Sequence, residues 1–235
     1  MQRRVVVTGV GLVTPLGTGV DKTWSGILAG ASGIGPITRF DCSQFKTKIA
    51  GEVRDFNPED WLPKKNIRRL DPFIHYAVGA ARMAWEMAGL SLPLEGEAAN
   101  LAGCITGTGI GGMQTLEETY FILAEKGPDK VSPFFVPKII GNMAPGEISM
   151  EFNLRGPNLC LCTACAAGSH AIGEAMKTIQ RGAADIIVCG GSEAIVTQIT
   201  VAGFNAARAL STHNDEPTEA SRPFDKNRDG CVMSE

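Results

Sequence analysis

The strongest constraint on the fold is a strand–helix–strand run. An uncharged strand at Leu159–Thr163, a helix at Ala166–Arg181 and a second strand at Asp185–Cys189 follow one another within about 30 residues, the length of one βαβ unit with parallel strands. In the helix, Ile172, Met176 and Ile179 repeat at i, i+4 and i+7, whereas Glu174 and Lys177 fall elsewhere. This predicts an amphipathic helix with a large apolar stripe on one face. The fold class is therefore α/β.

The junction between the first strand and the helix reads Thr163-Ala164-Cys165-Ala166-Ala167-Gly168. This places Cys165 at a helix N-terminus, where unpaired N–H groups and the helix dipole favour the thiolate form of a cysteine. The small residues around it allow a sharp turn and close approach of a substrate. A strand-to-helix elbow bearing a nucleophile, with backbone N–H groups as oxyanion hole, suits acyl transfer. The alternative is a small thiol that packs a strand end. Cys160, Cys162 and Cys165 do not match the paired spacing of a zinc site, and no second Cys or His cluster completes four ligands, so no metal is expected.

Elsewhere, Arg4–Thr8 reads as a first strand that ends in Gly9 and Gly11. Asp21 suits a helix N-cap, with Trp24, Ile27 and Leu28 on one face. Residues 31–60 read as loops and short strands. Asp71 before Pro72 marks a helix start, followed by the alanine-rich face of Ala77, Ala81, Ala84 and Ala88 and a stop at Gly89. Leu101–Thr106 is a strand entering Gly107-Thr108-Gly109-Ile110-Gly111-Gly112, and Thr115–Lys126 is a helix. The segment 128–145 combines several prolines with Phe134, Phe135, Ile139 and Ile140. No repeat or linker divides the chain, so a single domain is expected.

Composition narrows the function. Of 235 residues, 28 are glycine, well above the usual ~7%, as in an α/β protein with many tight turns. A net charge of −3 argues against general nucleic-acid binding. No apolar run reaches the ~18 residues of a membrane span, and the Val5–Val7 run is too short for a signal peptide. Seven cysteines with no export signal make a disulfide framework a poor reading, and a cytoplasmic location follows as the expectation.

Six further blocks accompany the Cys165 motif in order along the chain. They are RRVVVTGVGLVTPLG at the start, GTGIGG (107–112), VSPFFVPKIIGNM (131–143), GGSEA (190–194), GFNAARALST (203–212) and ASRPFDKNRDG (220–230). With TACAAGSHAIG (163–173), they resemble the β-ketoacyl-[acyl-carrier-protein] synthases, the ketosynthase or condensing-enzyme family, and most of all its synthase II group. The resemblance implies the thiolase-like fold, a layered αβαβα architecture of two similar halves. The chain, residues 1–235, matches the N-terminal half, so it is expected to be one ketosynthase domain cut before its C-terminal half. It departs from the family pattern at Cys231 and Ser234, where a Phe and a Gly are usual.

By this resemblance, Cys165 accepts an acyl group from acyl carrier protein, and decarboxylative condensation with a malonyl thioester follows. The reaction requires no cofactor. Ile110 and Phe204 correspond to residues that gate and line the acyl pocket, and Phe135 to one contributed across a homodimer interface. Plain core packing is the alternative for these three. Lys64, Lys65, Arg68 and Arg69 share one face of a helical turn; with Arg208 they correspond to a docking site for the acidic carrier, although a charge run is usually just solvated. The family's two catalytic histidines and its lysine lie further along. His75, His170 and His213 do not match them, so these residues alone are expected to lack full condensing activity.

Three other classes compete: a polyketide-type ketosynthase, a non-decarboxylating thiolase or other cysteine acyltransferase, and a non-catalytic half-domain. A dinucleotide fingerprint at Gly9-Val10-Gly11 fails, because Thr14 stands where its third glycine is needed. A calcium loop at Asp225–Gly230 lacks its bidentate Glu within the chain.

Overall fold

A computed structural model describes residues 3–235. Its helices are α1 (Val20–Leu28), α2 (Lys64–Ile67), α3 (Pro72–Met87), α4 (Glu97–Asn100), α5 (Met113–Lys126), α6 (Phe135–Ile139), α7 (Met143–Phe152), α8 (Ala167–Gln180) and α9 (Gln198–Ala206). Its strands are β1 (Val13–Thr14), β2 (Gly17–Thr18), β3 (Gly35–Pro36), β4 (Ile49–Ala50), β5 (Ala102–Gly107), β6 (Asn158–Leu161) and β7 (Ile186–Gly191). They form two compact units, each discontinuous in sequence. The first holds residues 3–12, Asn57–Gly112 and Pro133–Glu193; the second holds Val13–Phe56, Met113–Ser132 and Ala194–Glu235.

The first unit is built on a parallel sheet of order β6-β5-β7. Register runs from Cys104 opposite Asn158 to Gly107 opposite Leu161 on one side, and from Ala102 opposite Ile186 to Gly107 opposite Gly191 on the other. The strand order turns back at β5, so right-handed crossovers put α7 and α8 on opposite faces of the sheet. All six residues of β5 are buried accordingly. The expected βαβ unit, β6-α8-β7, is present.

The face that α8 turns to the sheet is not the one that carries the large apolar repeat. Ala171 and Ala175 pack on Ile105, while Ile172 and Met176 are 54% and 40% exposed. The reason is distance. A Cβ on Gly107 would lie 2.3 Å from the Ala167 carbonyl, an approach only small residues allow, so the alanine face wins the sheet.

Asp71 accepts a hydrogen bond from the Phe73 N–H at 3.2 Å and caps α3, with Pro72 at its first position, as the sequence predicts. Phe73, Ile74, Val78, Ala81 and Trp85 of α3 are buried, and Trp85 meets Phe152 of α7 edge-on at 5.2 Å. The strand expected at Arg4–Thr8 does not form: among the described residues the segment has no ladder partner, and Val7 is 80% exposed. A β-branched run favours extended backbone but cannot supply its own neighbour.

The second unit centres on Ile37, Ala50, Val196, Val201, Leu210 and Met233. Its strands are the short antiparallel pairs β1-β2 and β3-β4, in keeping with the loops and short strands read over 31–60. Helix α1 starts at Val20, after Gly19, with Asp21 in its first turn and not at its cap. Its Trp24, Ile27 and Leu28 are exposed and Thr23 is the buried residue, which reverses the face read from the sequence. Helix α9 was not apparent in the sequence. Its first N–H groups are held by Thr197, which accepts from Thr200 N–H at 3.3 Å, and by Glu117 of α5, which accepts from Ile199 N–H at 2.6 Å.

Candidate active site

Ligands of open parallel sheets bind outside the carboxyl ends of the strands, where successive crossovers go to opposite faces. In the first unit that place is marked by three segments: Gly107–Gly112 after β5, Cys162–Ala166 after β6 and Ser192-Glu193 after β7. Cys165 stands in the second of them.

Beyond β6 the backbone turns sharply. Ala164 takes a left-handed φ of 50°, a conformation that costs a non-glycine residue about 1–2 kcal/mol and persists where the surroundings impose it. Ala164–Ala166 form a short 3-10 turn that leads into α8, and Cys165 on this turn is exposed. Thr163 and His170, at either end of the elbow, share a hydrogen bond of 2.8 Å between Oγ1 and Nδ1. The helix-entry position read from the sequence thus holds, shifted by one short turn.

Two other cysteines of the unit, Cys104 and Cys160, are less suited to react. Burial pushes the Cys104 thiol far above its ordinary value. Cys160 is pushed up to about 12 by burial and by the neighbouring Cys162. Cys160 and Cys162 share one face of the chain: a Cβ on Gly141 would meet their sulfurs at 3.1 and 3.7 Å.

The turn that carries Ile110 is held on two sides. The Glu193 carboxylate accepts from Thr108 Oγ1 at 2.8 Å, Gly109 N–H at 2.5 Å and Ile110 N–H at 3.3 Å. Across the turn, Gly112 N–H donates to the Ile139 carbonyl at 3.1 Å, which ties it to α6. Gly111 has φ +82°, and a Cβ there would sit 2.7 Å from the same carbonyl. A Cβ on Gly109 would lie 3.8 Å from Ala164, so the turn also rests beside the elbow. The structure therefore brings Cys165, Ile110 and the helix bearing half-buried Phe135 into one unit. Phe204, partly exposed on α9, and exposed Arg208 belong to the second unit.

Lys64, Lys65, Arg68 and Arg69 are all exposed. The helical turn is shorter than their spacing implies: α2 ends at Ile67, and Arg69 lies past its C-cap. Lys64 pairs with Glu59 at 3.1 Å, and the Arg69 guanidinium lies over the Phe134 ring. None of the three histidines is unengaged. His75 is buried and donates from Nε2 to the Ile67 carbonyl at 3.1 Å, His170 bonds Thr163, and His213 bonds Glu216 at 3.0 Å. Sequence reasoning missed Glu193 as a site residue. It was visible only as part of the GGSEA block, and its partners lie 83 to 85 positions away.

The 3-oxoacyl-[acyl-carrier-protein] synthase 2 of Coxiella burnetii (strain RSA 493 / Nine Mile phase I) is 50% identical over 234 residues, covering 100% of this chain and 56% of that protein. A beta-ketoacyl synthase crystal structure from Burkholderia phymatum STM815 superposes with a TM-score of 0.87 at 30% identity, over 100% of this chain and 57% of that one. A type II polyketide acyl-carrier protein in complex with its ketosynthase, bound to the hexaketide, gives a TM-score of 0.82 at 29% identity, over 99% and 56%. The chain spans about half the length of the relatives it matches. Its architecture is the thiolase-like fold of these ketosynthases. The family model described as Beta-ketoacyl synthase, N-terminal domain, matches residues 2–235, and the chain belongs to that family.

Proposed function

We propose that this chain is the acyl-accepting half of a condensing enzyme of fatty-acid elongation, with Cys165 as its nucleophile. The observation that carries this reading is the exposed Cys165 on a left-handed turn between a parallel strand and a helix, beside a glycine turn. The Cys165 thiolate attacks the carbonyl of an acyl-carrier thioester; the acyl group passes to Sγ and the carrier leaves as its thiolate, which takes a proton from water. A malonyl thioester then loses CO2, and its carbanion attacks the acyl-enzyme. The carbon–carbon bond forms as the carbon–sulfur bond to Cys165 breaks, which releases a β-ketoacyl thioester.

Residues 1–235 form the ketosynthase N-terminal domain in this reading. Decarboxylation concentrates charge on the malonyl thioester oxygen and needs hydrogen-bond donors there. His75 bonds the Ile67 carbonyl, His213 bonds Glu216 and His170 bonds Thr163 at the elbow, and none matches the family's catalytic histidines, so in this reading the full condensation draws on other family residues. Ile110, Phe135 and Phe204 each take the acyl-contact role that the family resemblance implies for them. Acyl carrier protein is the partner in this reading, which a polyketide relative's complex with its own carrier protein supports, and the basic residues of 64–69 and Arg208 are the residues that the family resemblance assigns to docking. A homodimer completes the pocket through Phe135; the exposed apolar side chains of Leu159 and Val136 support such an interface. Among the described residues no helix is long and apolar enough to cross a membrane. We place the reaction in the cytoplasm, where a thiol nucleophile stays reduced. Fatty-acid elongation is favoured over polyketide synthesis by 50% identity to a fatty-acid-type synthase against 29% to the polyketide one.

The test is intact mass spectrometry of the purified protein after incubation with a hexadecanoyl thioester of acyl carrier protein, followed by peptide mapping. The expected result is one acyl group on Cys165 and none on Cys165→Ala. An adduct that persists in Cys165→Ala, or no adduct on the wild type, overturns the reading.

A further inference from the structure

We propose that Glu193 is a positioning residue that fixes the Ile110-bearing turn and thereby sets how well long acyl chains are accepted at Cys165. The inference rests on the reading of Cys165 and Ile110 given above. Three donors converge on this one carboxylate, and all come from consecutive residues, Thr108, Gly109 and Ile110. Thr108 extends the hold: its Oγ1 donates to Glu193 and accepts from Gly111 N–H at 3.0 Å. The acceptor is itself anchored, because the preceding Ser192 donates from Oγ to the Phe73 carbonyl at 2.6 Å. On its far side the turn is closed by Gly112 N–H on the Ile139 carbonyl. Ile110 stands between these anchors and is 41% exposed, so its place depends on the backbone beneath it and not on packing of its side chain.

A carboxylate suits this role where an amide does not. All three donors need acceptor lone pairs, and a glutamine would turn an NH2 group toward at least one N–H. The glycine at 109 is required by the same geometry, since a Cβ there would sit 2.8 Å from Glu193 Oε2. A turn released from Glu193 must be ordered anew when an acyl chain reaches Ile110. A long chain meets that cost and a short chain, ending before Ile110, does not.

The experiment compares hexadecanoyl and butanoyl thioesters of acyl carrier protein on wild type, Glu193→Gln and Thr108→Val, with the formation of acyl-Cys165 followed by mass. For Glu193→Gln the ratio of long- to short-chain kcat/KM is expected to fall about tenfold, the scale of a lost charge-assisted hydrogen bond, with the loss in KM for the long chain. Thr108→Val keeps the side-chain shape but removes one of the three donors and the acceptor of Gly111 N–H; it shifts the ratio the same way. The double variant then falls short of the sum of the two single losses, because both loosen the same turn. If Glu193→Gln does not fold, Thr108→Val carries the test alone. Equal losses for both chain lengths, or no change in the ratio, overturn the proposal while wild-type acylation of Cys165 still stands. Absence of wild-type acylation overturns the underlying reading instead.

Discussion

The Arg69 guanidinium lies 4.9 Å above the centre of the Phe134 ring. This contact splits a basic run that looked uniform in sequence. Arg69 holds the residue at the N-cap of α6, one before Phe135, whereas Lys64 is shared with Glu59. In the proposed reading, carrier docking therefore falls first on Lys65 and Arg68. Lys65→Ala and Arg68→Ala should raise KM for a carrier-bound acyl thioester severalfold and leave KM for the same acyl group on pantetheine in place. The effect should shrink as salt rises, since exposed charges are screened. Arg69→Ala should instead lose about 0.5–1 kcal/mol of stability, the worth of an exposed cation–π contact, read as a lower melting temperature. Equal KM effects for carrier and pantetheine substrates would count against docking at this patch.

Two glycines near α8 have opposite meanings. Gly107 faces the Ala167 carbonyl so closely that a methyl group must push β5 and α8 apart. Gly107→Ala should destabilise by about 3 kcal/mol, the upper range for overpacking. Gly173, within α8, has open space where a Cβ would go. Gly173→Ala should stabilise by about 0.5–1 kcal/mol through helix propensity alone. Urea titrations at constant m value would check both. Equal signs for the two substitutions would refute the close approach of strand and helix.

What was legible in the sequence is what neighbours in sequence determine. The Asp71-Pro72 helix start, the β6-α8-β7 unit and the turn at Cys165 are local patterns, and all three form. The Arg4–Thr8 segment has strand composition, but a strand needs a ladder partner that composition does not reveal. Helix α9 was hidden because Ile199, Thr200, Val201 and Gly203 are weak helix formers, and part of its N-terminal capping comes from Glu117, 82 residues earlier. On α8 the apolar period was visible, but a period identifies a face and not its partner. The sheet takes Ala171 and Ala175 because only small side chains fit against β5. Glu193 was hidden for the same reason as Glu117: a carboxylate that clamps a distant turn leaves no local signature.

The elbow also predicts a reactivity order among the thiols. Cys162 and Cys165 are both exposed, Cys104 is buried, and Cys160 is held protonated well past neutrality. Iodoacetamide at neutral pH should modify Cys165 and Cys162 long before Cys104 and Cys160. Prior incubation with an acyl-carrier thioester should protect Cys165 and leave Cys162 open to the reagent. Peptide mapping separates the two outcomes, and protection of Cys162 in place of Cys165 would move the nucleophile off the elbow.

Stability should fall as the protein is acidified, through His75. Burial, reinforced by the nearby Lys138 charge, lowers its pKa from 6.5 to about 4, and its Nε2–H donates to the Ile67 carbonyl. The folded state thus keeps His75 neutral over a range in which the unfolded chain binds a proton. Where the unfolded state binds more protons, stability rises with pH. The contribution of His75 is therefore complete above pH ~6.5 and is lost as pH falls toward about 4, below which both states are protonated. A shift of this size corresponds to about 3 kcal/mol across the window. His75→Gln keeps a donor for the Ile67 carbonyl and removes the titration. It should flatten the dependence of denaturant midpoint on pH between these limits, while the wild type loses stability steadily over the same range. An equally steep profile in His75→Gln would assign the acid sensitivity to other groups.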